Sequence, residues 1–338
     1  MRILRKAAYA RAGLLGNPSD GYHGKTISIS VRNFKAEVVL YEWEDVEIVR
    51  TDLDQNRFDS VQELVRDVKL HGYYGGMRLI KAAIKKFVEY CVREKLELHD
   101  RNFSIRYDTN VPRQVGMAGS SAIIVAALRC LMEFYEVDIP LPVQPSLVLS
   151  VEQDELGITA GLQDRVIQVY EGLVYMDFAQ EKASTIQGYE CGEYEPLDPK
   201  LLPLIYIAYN ADVSEPTEVF HNDIRGRFNR GDHMVRTAME TFAGLAENAK
   251  RALEEGKPHE LAALIDKNFD TRLSIARLPE GQVRMVEVAR QAGASAKFAG
   301  SGGAIIGTYT DQEMYNRLKA NLTAIGCKII KPKVSEDD

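Results

Sequence analysis

Residues 110–127, NVPRQVGMAGSSAIIVAA, join a Gly- and Ser-rich loop directly to an apolar helical run. A helix that starts this way turns free backbone N–H groups and the positive end of its dipole toward an anion. Gly116 and Gly119 permit a close backbone approach to a phosphate, and the hydroxyls of Ser120 and Ser121 sit where they can cap the helix or reach a phosphate or Mg²⁺. The chemistry suggested is a triphosphate cradle, although the same residues also suit an ordinary capped helix after a turn. The stretch has neither the Gly-Lys-Ser/Thr ending of a Walker loop nor the Gly-x-Gly-x-x-Gly spacing.

Phosphoryl transfer to an alcohol needs such a cradle, Mg²⁺ ligands, a cation, and a group that orients or deprotonates the acceptor hydroxyl. Two carboxylates qualify. Glu152 follows Val148 by four positions and shares the apolar face of its helix, where an unpaired carboxylate is costly. Asp164 falls in the first helical turn after Gly161, where the dipole favours its ionised form. By residue type alone both are equally readable as solvated helix charges. Gly300-Ser301-Gly302-Gly303, between two short apolar runs, allows a third close backbone approach. His23, His71 and His233 lack metal-ligand spacing and read as structural.

Three runs resemble the signatures of the GHMP small-molecule kinases, in the family's order between Ala10 and Ala304 of 338 residues. The first is Ala10-Arg11-Ala12-Gly13-Leu14-Leu15-Gly16-Asn17-Pro18-Ser19-Asp20, with Asn17-Pro18 in place of the family's Glu-His. The second matches at Pro112, Gly116, Gly119, Ser120, Ser121 and Ala122 and departs from the pattern at Met117 and Ala118. The third is Lys297-Phe298-Ala299-Gly300-Ser301-Gly302-Gly303-Ala304. The resemblance implies an α+β, two-domain GHMP kinase fold, with an N-terminal ATP-binding domain and a C-terminal ferredoxin-like α+β domain. It implies ATP and Mg²⁺ as cofactors. Asp164 of Gly161-Leu162-Gln163-Asp164 would be the catalytic carboxylate, with Arg11 the basic residue beside it. Residues Pro112, Gly116, Met117, Ala118, Gly119, Ser120 and Ser121 would hold the phosphates, Ser121 and Glu152 the Mg²⁺, and Asn17, Asp20, Tyr22 and Gly302 the substrate.

Within the family, the runs 13–20, 72–76, 107–114, 161–166 and 297–303 resemble the plant-type glucuronokinase branch. That implies ATP-dependent phosphorylation of the anomeric hydroxyl of D-glucuronate. A uronate needs a cation, preferably a bidentate one, for its carboxylate. Arg113 and Arg165 lie inside matched runs and are the first candidates, ahead of Arg78, Arg225 and Arg272. Two other readings stay open at this point: a GHMP kinase for a different sugar or small alcohol, and an inactive GHMP fold that senses its ligands.

Composition agrees with an enzyme of ordinary globular type, 45% hydrophobic and 27% charged. A net charge of −7 argues against a nucleic-acid surface. The expected partner is a small sugar acid, with no nucleic acid and no membrane, and the chain is expected to be a monomer or homodimer. Cys91, Cys130, Cys191 and Cys327 are scattered without paired spacing, which suggests reduced thiols and a cytoplasmic setting. The basic residues Arg2, Arg5, Lys6 and Arg11 precede an apolar run too short for targeting, and no stretch is long enough to span a membrane.

Around these residues the hydrophobic pattern predicts the positioning elements. Alternation over 25–41, broken at Arg32-Asn33, predicts an antiparallel hairpin. Helices are expected over 60–70, 76–94, 121–135, from Pro145 and over 162–170, with strands over 103–107 and 172–178. Residues 180–202 read as polar and irregular, and the domain division is placed there, giving domains of 1–195 and 200–338. Beyond it come a strand at 204–210, helices over 217–256, 259–277 and 281–292, strands at 296–298 and 304–309, a helix over 312–325 and a closing strand at 328–333.

Overall fold

Two long antiparallel strands, β1 (Ile3–Leu15) and β2 (Lys25–Trp43), begin the described chain in a computed structural model that covers residues 3–49, 75–213 and 218–336, the last from 218 to 223 by backbone only. The helix expected over 60–70, the aromatic turn at 72–74 and His71 lie outside the described residues. The hairpin expected within 25–41 does not form. Ile27, Ile29, Val31, Ala36, Val38 and Leu40 alternate along one continuous strand, all buried, and the partner is β1. The polar break is a bulge instead. Tyr9 pairs with Lys35 and Ala10 with Val31, so residues 32–34 loop out without ending the strand. The Asn33 amide holds that bulge, donating to the Lys331 carbonyl at 3.1 Å and accepting from the Lys333 N–H at 2.8 Å.

On its other edge β2 pairs with β4 (Asn102–Thr109) and β5 (Leu173–Asp177), and β3 (Glu47–Ile48) and β8 (Glu193–Leu197) extend the sheet. Residues 180–202, expected to be irregular, carry β8 and a small hairpin, β6 (Ser184–Ile186) with β7 (Tyr189–Cys191). That hairpin turns on Gln187 and Gly188 at φ 48° and 75°. Its strands are only three residues long and largely exposed, so they carry little apolar alternation.

Against this sheet pack α1 (Gly76–Arg93) and α2 (Gly119–Tyr135), followed by α3 (Val143–Ser150), a π-helical turn at Val151–Glu155, and α4 (Gln163–Tyr170). As its composition predicts, α2 is buried on nearly every side. Its Arg129 ties the layers together by donating to the Ala7 carbonyl of β1 at 2.7 Å and to Glu171 at 2.8 Å.

The rest of the chain runs β9 (Ile205–Tyr209), α5 (Glu218–Asn229), α6 (His233–Glu254), α7 (Leu261–Ile275), α8 (Glu280–Gln291), β10 (Lys297–Phe298), β11 (Ala304–Thr308), α9 (Gln312–Ala324) and β12 (Lys328–Ile330). Its sheet has the order β10-β11-β9-β12, antiparallel throughout, which is the ferredoxin-like arrangement. One apolar cluster joins Ala12, Leu14, Ile27 and Ile29 of the first sheet to Ile207 and Ile306 of the second and to Leu245 and Ile265 of the helices. The loops after β1, before α2 and after β10 therefore meet at one junction. No described helix is long and apolar enough to cross a membrane.

Candidate active site

At the start of α2 the backbone is left open. Ala118 occupies the N-cap in the left-handed region, φ 60°, and has no side-chain oxygen to cap with. The first helical bond runs from the Ala122 N–H to the Ala118 carbonyl at 3.2 Å, and the N–H groups of Gly119, Ser120 and Ser121 take no acceptor among the described residues. Two helices are closed by a side chain, α6 by Asp232 through the Met234 and Val235 N–H groups and α9 by Asp311 through that of Met314, whereas α1, α3, α4, α7 and α8 share with α2 the lack of a side-chain cap. No side chain caps the start of α2. Gln168 steadies the turn by donating to the Ala118 carbonyl at 2.7 Å. Ser120 is exposed, Ser121 is buried with its hydroxyl donating to the Ala118 carbonyl at 3.2 Å, Met117 packs into the core, and Pro112 is half-buried.

Glycine is obligatory where this loop meets the one after β10. Gly116 has φ 67°, and a Cβ there would stand 2.7 Å from the Gly302 carbonyl oxygen. A Cβ on Gly300 would stand 2.2 Å from the Gly116 carbonyl and 2.7 Å from an Arg11 nitrogen, and one on Gly302 would lie 2.2 Å from Gln282 Oε1. The two loops thus touch backbone to backbone, with Gly302 facing the cradle loop.

The chain brings Arg11 and Asp164 together across 153 positions. Arg11 Nε and Nη2 donate to the two Asp164 carboxylate oxygens at 2.6 and 2.7 Å, a fork that fixes the carboxylate's plane. Nη1 donates to the carbonyls of Gly116 and Ala299, so one side chain ties the carboxylate to both glycine loops. Asp20 lies beside this pair. Its Oδ2 accepts from the Gln163 N–H at 3.4 Å, and Gly161 leaves room for it, since a Cβ there would stand 2.1 Å from that oxygen. Burial, reinforced by the charge of Asp164, pushes the Asp20 carboxyl up to about 6.

Arg165 is not open to a substrate. Its Nε and Nη2 both donate to Glu152 Oε2, its Nη1 donates to the Gly161 carbonyl at 2.8 Å, and it lies 3.5 Å from Asp164. This corrects the expectation that Arg165 clamps a substrate carboxylate. The reason is electrostatic: Glu152 is 2% exposed, and a buried carboxylate without a cation costs several kcal/mol. Burial raises the Glu152 carboxyl and the Arg165 guanidinium draws it back; burial works against the charge of Arg165, but Glu152 and Asp164 outweigh it and hold its pKa up. Because both nitrogens take Oε2, Glu152 Oε1 has no hydrogen bond among the described residues. Oxygen donors from Ser121 and Glu152 are a set that suits Mg²⁺.

Asn17, expected at the sugar, is buried and its side-chain oxygen accepts from Lys297 Nζ at 2.6 Å, so that oxygen is committed to the protein. Arg113 is exposed on the approach to the cradle. Tyr22 leans on Phe228, with ring centroids 4.7 Å apart. Lys297 is the residue to which sequence reasoning assigned no role. It is fully buried, donating also to the carbonyls of Gly13 at 2.7 Å and Phe298 at 2.9 Å, and burial together with Arg272 and Arg11 holds its amine far below the usual range. Its signal was a lysine between Ala296 and Phe298 in an otherwise apolar strand. Arg272 supports the same loop through the carbonyls of Gly300 at 2.9 Å and Ser301 at 3.1 Å, and its burial lowers it to about 10. A fixed carboxylate beside an uncapped helix start and a group of buried cations can align a hydroxyl with a polyphosphate and offset the charge that develops.

Comparison with known proteins identifies the family and the fold. Residues 78–172 match the family model described as GHMP kinases N terminal domain, and residues 249–324 match that of GHMP kinases C terminal. The chain is 44% identical over 305 residues to Glucuronokinase 1 of Arabidopsis thaliana, covering 88% of this chain and 83% of that one. Among solved structures, a Lin0012 protein from Listeria innocua superposes with a TM-score of 0.75 at 13% identity, over 99% of this chain and 98% of the other. Lactococcus lactis galactokinase, solved in complex with galactose, superposes with a TM-score of 0.74 at 14% identity, over 98% and 94%. With both halves of the family pattern present and a relative this similar along most of its length, the chain belongs to the GHMP kinases, as an ATP-dependent small-molecule kinase.

Proposed function

We propose that this kinase transfers the γ-phosphoryl group of ATP to the anomeric hydroxyl of D-glucuronate, giving glucuronate 1-phosphate and ADP. The observation that carries the reaction is the Arg11–Asp164 fork placed beside Asp20 and joined to both glycine loops. The acceptor rests on the 44% identity to the Arabidopsis glucuronokinase. In this reading the N–H groups of Gly119, Ser120 and Ser121, with the loop of Pro112, Gly116, Met117 and Ala118, hold the phosphates. Ser121 and Glu152 Oε1 hold Mg²⁺, which when bound neutralises charge on the phosphate oxygens.

Asp164 orients the sugar hydroxyl and accepts its proton as the new O–P bond forms and the bond to the ADP oxygen breaks. Arg11 keeps Asp164 in position and offsets charge on the transferred group. Asp20 accepts from a sugar hydroxyl, with Tyr22 and the Asn17 amide nitrogen beside it and Gly302 lining the junction. Arg113 stands near the cradle as a supporting cation. The chain acts in a cytoplasmic setting.

The test is ADP release from Mg²⁺-ATP with D-glucuronate, D-galacturonate, D-galactose, D-glucose, L-arabinose and mevalonate as acceptors. A clear preference for glucuronate is expected. Preference for a neutral sugar or for mevalonate sinks the acceptor assignment and leaves the kinase in place.

A further inference from the structure

A cavity of about 180 Å³ opens beside Asp20 and Gly161, and Arg225 and His23 stand on its wall. Arg225 comes from α5, so it reaches this cavity from the opposite half of the chain. Its guanidinium carbon lies 4.5 Å from the centre of the Tyr22 ring, and Tyr22 rests in turn on Phe228, one helical turn further along α5. Arg225 and Phe228 thereby clasp Tyr22, which limits the rotamers open to the arginine. At the backbone the approach is equally close, since a Cβ on Gly21 would stand 3.0 Å from an Arg225 nitrogen.

The neighbouring guanidiniums are committed elsewhere. Arg11 holds Asp164, Arg165 holds Glu152, Arg272 holds the carbonyls of Gly300 and Ser301, and Arg227 holds Asp232. No described carboxylate forms an ion pair with Arg225, and neither Arg78 nor Arg113 lines the cavity. The cavity also contains two acids, Asp20 and Glu190. An anionic sugar entering it meets repulsion from both unless a cation offsets them.

The chemistry of the ring sets where that cation belongs. In a pyranuronate C1 and C5 flank the ring oxygen, so the carboxylate on C5 and the hydroxyl on C1 lie at the same edge of the ring, separated only by that oxygen. The group that meets the carboxylate must therefore sit beside the carboxylates that handle the hydroxyl, and Arg225, packed on the residue after Asp20, is in such a place. We infer that Arg225 is the residue that selects an acid sugar, its guanidinium receiving the substrate carboxylate at the mouth of the Asp20 cavity. The inference rests on the uronate reading above and replaces Arg165 in that role.

The test is steady-state kinetics of the full chain as wild type, Arg225→Gln and Arg225→Lys, with D-glucuronate and D-glucose as acceptors. A charged hydrogen bond to the carboxylate predicts that Arg225→Gln lowers the glucuronate-to-glucose ratio of kcat/KM about tenfold or more, through KM for glucuronate and not through kcat. Arg225→Lys, which keeps the charge and loses the fork, falls between the two. A ratio within twofold of wild type in Arg225→Gln overturns the role of Arg225 while leaving a glucuronate kinase. A wild-type enzyme with no preference for glucuronate over glucose overturns the uronate reading itself, and the inference with it. Arg225 is exposed, and thermal melting of each variant verifies that any change in the ratio belongs to a folded enzyme.

Discussion

In the proposed reading, the donor and acceptor sides of the junction are built from different materials. On the donor side the contacts are backbone: three open N–H groups at the start of α2, and glycines at 116, 300 and 302 so close that a Cβ would collide. On the acceptor side they are side chains, Asp20, Tyr22 and Arg225, delivered by separate elements around a cavity. A backbone site is bound to its fold and changes only with it. A side-chain site can be altered one residue at a time, which suits a family whose members share a donor and differ in acceptor.

Asp164 stands between the two and gives the largest expected effect. Asp164→Asn should lower kcat by about 10²–10⁴-fold while ATP affinity stays within a few-fold, read by turnover and by nucleotide titration. If ATP affinity collapsed in parallel, the two sides would not be separable. Next in size is Lys297→Met, which leaves the carbonyls of Gly13 and Phe298 and the Asn17 oxygen without their donor. It should cost about 2–4 kcal/mol in denaturant unfolding.

Gly300→Ala should cost about 1–3 kcal/mol through overpacking and raise KM for ATP, with KM for the acceptor nearly unchanged. An unchanged KM for ATP would remove the third loop from the donor side. The smallest effect is on pH dependence. Because the Asp20 carboxyl is raised to about 6, an acceptor role for its ionised form predicts that kcat/KM falls as pH drops through about 6, and that Asp20→Asn flattens this limb. The sign for stability is opposite: below that value the folded chain keeps a proton that the unfolded chain loses near 4, so stability declines as pH rises from about 4 to 6. Asp20→Asn should remove that slope as well.

The same contrast explains what could be read from the sequence. The cradle loop was marked by its glycine spacing and its Gly-Ser run before an apolar helix, a pattern that an ordinary capped helix shares, and the ferredoxin-like order agreed with the family resemblance and with the order of the elements. The nearness of Arg11 and Asp164 was legible through family resemblance and not through any local pattern. What escaped was pairing between side chains. Glu152 and Arg165 each looked available, because the sequence does not show that a π-helical turn and the first turn of α4 aim them at one another. The continuous β2 was taken for a hairpin because a bulge of polar residues carries the same local signal as a turn. Arg225 ranked low because α5 is far from every signature in sequence.

The bonds that unite the donor side also set the order in which the molecule can be made. The Gly13 N–H donates to the Ala299 carbonyl at 2.7 Å, and Lys297 reaches back to Gly13 across 284 positions. A chain emerging from the ribosome can pair β1 with β2 early, but the site proposed for the nucleotide is complete only once residues beyond Gly303 are free to fold back on the first strand. In the proposed reading, the nucleotide site therefore depends on contacts between the two ends of the chain, Gly13 with Ala299 and Lys297.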